Sequence, residues 1–147
     1  MPTLNTIAKT ITRPLPKFVS PRAHAVLDCV MMGSLFTRGA CLWRRNRRAA
    51  LASFVCGGTQ LLVDLLSDYP GGVKKIIDFP VHGDLDLGLA GMIALMPEFM
   101  AFEDETEKGF FMLQGAALAA VTNLTDFGDR SARSRKRSSG RTLRKAA

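Results

Sequence analysis

Histidine and aspartate four residues apart on a helix share one face, close enough to pair or to converge on one ion. The chain holds two histidines, and each opens such a spacing: His24 with Asp28, and His82 with Asp86. The two pairs lie 58 residues apart, and the same offset carries further identities. Leu27 meets Leu85, Gly33 meets Gly91, Gly57 meets Gly115, Val63 meets Val121, Leu66 meets Leu124 and Asp68 meets Asp126, with Tyr69 facing Phe127. Residues 21–69 thus align on 79–127 without a gap, with eight identities in 49 positions and both histidines in register. Self-similarity at one fixed offset is the mark of a duplicated structural unit.

The candidate site is His24, Asp28, Asp68, His82, Asp86 and Asp126. Three chemistries are open to it. The acids can cap helix ends or pair with the imidazoles, fixing the register of each hairpin. Two histidines and up to four carboxylates suit a Zn, Mn or Fe ion held between the repeats. Intramembrane ionisable groups also suit a proton or small-solute relay, although their clustering near one interface leaves the midplane without a step. The structural pairing is the reading adopted, with no metal and no cofactor assigned. No nucleophile–base pair and no phosphate-cradling glycine loop is present, so neither catalytic residues nor an enzymatic activity are assigned. Asp68 and Asp126 stand where a helix C-terminus disfavours an acid, so each needs a partner.

Four apolar runs must position these groups. His24–Leu42 follows Pro21, a natural first-turn residue, and its 19 residues make a helix of about 28 Å at ~1.5 Å per residue. That nearly matches a hydrocarbon core of roughly 30 Å. Trp43 and the arginines to Arg48 close the run with the aromatic and charged character of a membrane interface. Ala49–Leu66 is second, with Gly57, Gln60, Asp64 and Asp68 on one face, a polar stripe that belongs inside a bundle. Val81–Phe102 is third, with Pro97 expected to kink it near its end. A charged hairpin over 103–108 leads to the fourth, Phe110–Leu124. A soluble bundle would carry a charged stripe on each helix, and the fourth run has no charge at all between Phe110 and Thr125. The expectation is an all-α fold of four transmembrane helices, built from two tandem helical-hairpin repeats about a pseudo-two-fold axis along the membrane normal. Gly33, Gly57, Gly91 and Gly115 are expected as close-packing points between helices.

The domain plan is a basic arm over 1–20, disordered or lying on a surface, then the membrane domain over 21–127, then a basic disordered tail over 128–147. Lys and Arg number 20 against 13 acids, and the tail alone supplies eight basic residues between Arg130 and Lys145 with no acid. Beside a membrane such a tail suits anionic lipid headgroups. Without interleaved aromatics to stack bases, nucleic acid is not expected as a partner. Cys29, Cys41 and Cys56 form no metal or disulfide spacing and read as small buried hydrophobes. The excess of Lys and Arg on the side of the termini predicts an inner-membrane protein with both termini cytoplasmic.

Two helices per repeat, with His, Asp and Gly opening the first and Ser-Asp or Thr-Asp closing the second, resemble the SPW-repeat family of small bacterial membrane proteins. Met96-Pro97-Glu98 stands where that family's Ser-Pro-Trp tripeptide falls in the second repeat, and Arg38-Gly39-Ala40 in the first. The resemblance covers roughly 21–127. It implies a multi-pass membrane protein and supplies no catalytic residues.

Overall fold

The computed structural model describes residues 16–128. The basic arm as far as residue 15 and the basic tail from residue 129 lie outside the described residues. Four helices follow one another: α1 (Pro21–Leu42), α2 (Arg47–Leu66), α3 (Phe79–Phe99) and α4 (Glu105–Leu124). They pack as two hairpins, α1 with α2 and α3 with α4, and the hairpins meet along α2–α3 and α1–α4. Two of the four, α1 and α2, are long and apolar enough to cross a membrane. By contrast α3 carries Asp84, Asp86 and Glu98, and α4 opens on Glu105, Glu107 and Lys108. The fold is therefore all-α and made of hairpins, with the length and apolarity of a span met by the first hairpin only.

The helix starts follow local chemistry. Ser20 caps α1 by accepting from Ala23 N, with Pro21 in the first turn. Asn46 does the same for Ala49 N at α2. Asp104, its repeat counterpart, accepts from Thr106 N and Glu107 N at 2.8 and 3.2 Å. That cap corrects the expected hairpin over 103–108: residues 105–108 are the first helical turn. An N-cap carboxylate followed by two more acids suits the positive end of the helix dipole. Pro97 lies in the last turn of α3, which ends two residues later, and Ala101 takes a left-handed φ of 49° to turn the chain.

The duplication is visible in the bonds that join elements. Phe18 N and Val19 N donate to Leu124 O, and 58 residues on Ile76 N and Ile77 N donate to Leu66 O. Asp126 N donates to Val19 O as Asp68 N donates to Ile77 O. The strand-like bridges Val19 with Thr125 and Ile77 with Ser67 are the same pair repeated. Residues 16–20, the described end of the arm, are thus tied to the end of α4, with Lys17 Nζ on Asn123 O as well. These bonds bring the starts of α1 and α3 and the ends of α2 and α4 to one end of the bundle. At the opposite end Asn46 Nδ2 donates to buried Glu107, joining the hairpins there.

Apolar packing fills the middle, around Leu35, Cys56, Ile93, Phe111 and Leu118. The four glycines singled out by the repeat divide. A Cβ on Gly115 would lie 2.6 Å from Ala90 O and 2.9 Å from Ala94 Cβ, so α3 and α4 meet there at backbone distance. Gly57 faces Leu35 and Phe36 at ordinary contact distance. Gly33 and Gly91 are corrected: a Cβ on either meets nothing within 4 Å, because both point away from the neighbouring helices. Cys29 and Cys41 are likewise exposed, and only Cys56 is buried.

Candidate polar site between the hairpins

His24 and Asp28 project inward from the first two turns of α1, and His82 and Asp86 from the same turns of α3. All four are completely buried. The i,i+4 spacing places each acid one turn above its histidine, and hairpin docking brings the two pairs face to face. His24 Nε2 lies 3.1 Å from Asp28 Oδ2 and 3.1 Å from Asp86 Oδ2. His82 Nε2 lies 3.2 Å from Asp86 Oδ2 and 3.6 Å from Asp28 Oδ2. The two Nε2 atoms are 3.2 Å apart. One potential ligand atom from each residue falls within 4.8 Å of the other three. Each acid therefore serves both histidines, its own and that of the other repeat.

The remaining ring nitrogens are held by hydroxyls, exchanged between repeats. His24 Nδ1 is 2.8 Å from Thr125 Oγ1, and His82 Nδ1 is 2.9 Å from Ser67 Oγ. Both hydroxyls donate their hydrogen to a backbone carbonyl one turn back, Ser67 to Val63 O at 2.6 Å and Thr125 to Val121 O at 2.7 Å. A hydroxyl has one hydrogen, so each oxygen can only accept from the imidazole. The network thereby places a proton on each Nδ1: a neutral ring then turns its Nε2 lone pair to the centre, and a charged ring donates from Nε2 as well, as His24 Nε2 can to Asp86 Oδ2 at 3.1 Å.

Burial makes this centre costly if its groups go unmatched. Both oxygens of Asp28 and Oδ1 of Asp86 take no hydrogen bond among the described residues, nor do the carboxylate oxygens of neighbouring Asp64. Asp64 lies within Coulomb reach of Asp28, His82 and Asp86. Gln60 leans from α2 with Nε2 toward Asp28 O at 3.4 Å. Aromatic rings close the end of the bundle over the imidazoles. Tyr69 lies 4.6 Å from the His82 ring, Phe127 5.4 Å from the His24 ring and Phe79 5.8 Å from both. Burial, and then the carboxylates of Asp64 and Asp28, hold the Tyr69 hydroxyl well above its ordinary acidity range, so it stays protonated.

Of the six residues expected in the site, four converge and two do not. Asp68 is exposed and pairs with Lys75 at 3.0 Å, and Asp126 is exposed and accepts from Gly128 N. Both lie two residues past the helix end, where the chain turns outward and the preceding hydroxyl residue turns in. Ser67 and Thr125 are the members the sequence reading passed over. Their signal is the Ser-Asp and Thr-Asp pair closing each repeat, in which the hydroxyl turns inward and the acid outward. No family model, no curated protein and no solved structure matches this chain.

Proposed function

We propose that the chain is an integral membrane protein of four spans, a structural or interaction bundle in which the buried His/Asp quartet clasps two helical hairpins at one end. The observation that carries this reading is the inverted distribution of polarity. Large apolar side chains point outward from every helix: Val26 and Val30 on α1, Val55 and Leu62 on α2, Leu95 on α3, Met112 and Leu113 on α4, each more than half exposed. The interior meanwhile holds His24, Asp28, Gln60, Asp64, His82, Asp86, Glu107 and Gln114. In water an apolar surface of that extent would drive association. In lipid it is the natural exterior, and ionisable groups face the bundle interior. Under this reading α3 and α4 cross as well, because their charges lie inside the bundle or at its ends, and Cys29 and Cys41 face lipid.

No catalytic step belongs to this reading, and kinship with the SPW-repeat family is proposed on the 58-residue duplication alone. Fractionation tests the placement. Expressed in a bacterial host, the full chain stays in the membrane pellet through alkaline carbonate extraction and is released by detergent. Recovery of a monodisperse species from the soluble fraction without detergent overturns it.

A further inference from the structure

We propose that His24 Nε2, His82 Nε2, Asp28 Oδ2 and Asp86 Oδ2 form a four-coordinate site for a divalent first-row transition-metal ion, with Zn2+ the best match. The inference rests on the quartet of the clasp reading and names what closes the clasp.

The first support is geometric. Five of the six separations among these atoms are fixed at 3.1, 3.1, 3.2, 3.2 and 3.6 Å. A regular tetrahedron whose ligands stand about 2.0–2.1 Å from a zinc ion has edges of about 3.3–3.4 Å. The five separations lie close to the edges of such a figure, and one donor atom from each residue falls within 4.8 Å of the other three. Four protein ligands complete it, as in structural rather than catalytic zinc sites. Calcium and magnesium are disfavoured, because two of the four donors are imidazole nitrogens.

The second support is independent of those distances. Ser67 and Thr125 accept from Nδ1 and so aim a lone pair from each ring at the same point as the carboxylates. Hydrogen bonding at the second nitrogen is the usual means of orienting a metal-binding histidine. Two lone pairs and two carboxylates then face one another, with Asp28 accepting no hydrogen bond at full burial. A proton on Nε2 can point at one neighbour only, whereas a central cation engages all four. Its two positive charges also balance two carboxylates between neutral rings, which answers the penalty of burying like charges. The aromatic shell of Tyr69, Phe79 and Phe127 supplies the dry surroundings.

The test uses the full chain in detergent, stripped with chelator and titrated with Co2+ while visible absorption is followed. Uptake of about one equivalent per chain, with the strong d–d bands of tetrahedral cobalt and their loss on adding Zn2+, is expected. Asp86→Asn and His82→Gln weaken uptake by at least about tenfold, while Asp68→Asn and Asp126→Asn leave it unchanged. Wild-type protein that is helical and monodisperse yet takes up neither Co2+ nor Zn2+ overturns the proposal, and so does uptake equal in wild type, Asp86→Asn and His82→Gln. Should those variants fail to fold, the wild-type titration alone decides. Carbonate extraction separates this from the membrane reading: a membrane-bound chain without metal sinks the site only, and a soluble chain with tetrahedral cobalt sinks the membrane placement only.

Discussion

At the scale of single residues, the centre depends on two hydroxyls as much as on its four ionisable groups. Ser67 and Thr125 each fix a ring from the opposite repeat, so removing either frees an imidazole to rotate or change tautomer. Ser67→Ala is expected to weaken Co2+ uptake by about 10–100-fold, the cost typical of losing a partner behind a metal ligand, with Ser67→Thr restoring it. A merely structural hydroxyl would lower the melting temperature and leave uptake intact. The histidine–aspartate quartet was legible because identical letters recur at one offset. Ser67 and Thr125 were not, since their shared function rests on different letters. Asp64 is legible as part of the inward polar stripe but not as a neighbour of the quartet, because its repeat counterpart is Thr122 and a search for identities passes over it. Helix phase puts 60, 64 and 68 alike on the inward face of α2, with 68 about 40° from 64; 68 turns out only because the helix ends at Leu66 and Ser67 is extended.

Helix by helix, the apolar runs located all four elements, and the boundaries went wrong where charge and capping compete. The 103–108 segment reads as a loop from its charges, yet Asp104 and two following acids are what starts α4. The backbone N–H groups of Glu107 and Thr106 hold the Asp104 carboxyl below its ordinary value. A depressed folded-state pKa contributes stability that is full above the unfolded value, about 3.9, and is lost as pH falls through the folded one. Asp104→Ala should therefore melt earlier than wild type near neutral pH, with the gap closing only in acid below pH ~4. A gap that stayed constant into strong acid would mean the cap is not what the mutation removes. The glycines give a paired prediction of opposite sign. Gly115→Ala drives a Cβ against the Ala90 carbonyl and should destabilise by about 1–3 kcal/mol, as overpacking does. Gly91→Ala enters open space and should stabilise by about 0.5–1 kcal/mol, by relieving the helix of a glycine. Thermal unfolding in one detergent compares the two directly. Only the backbone approach of α4 to α3 separates these sites, and the repeat, which aligns 33 with 91 and 57 with 115, carries no trace of it.

For the whole molecule, the duplication and the hairpin order were open to a reader of the sequence, and together they predict which helix ends meet. The inter-element bonds place the quartet, the connection carrying Lys74 and Lys75 and the described ends of both tails together at one end of the bundle. By sequence alone, the two terminal segments, the start of α1 and the connection between α2 and α3 hold 14 of the lysines and arginines, and the other 6 fall in or beside the remaining two connections. On the proposed membrane reading, cytoplasmic segments carry the excess of Lys and Arg, so the quartet end and both termini are expected in the cytoplasm. A local signal opposes this, because Arg44 and Arg45, with Arg47 and Arg48 in the first turn of α2, crowd the short connection after α1, and in a membrane protein the first helix often dominates orientation. Lys17 and Arg22 flank the same helix at its start, and the eight basic residues of the tail add to their side. Reporters distinguish the outcomes. Because 105–108 is helical, the internal fusion belongs after exposed Glu103, in the connection between α3 and α4. A reporter active only in the cytoplasm should work when fused after Ala147 and stay silent after Glu103. The reverse pattern would mean that the arginine connection, not the total, sets the orientation, and would move the quartet to the outer face.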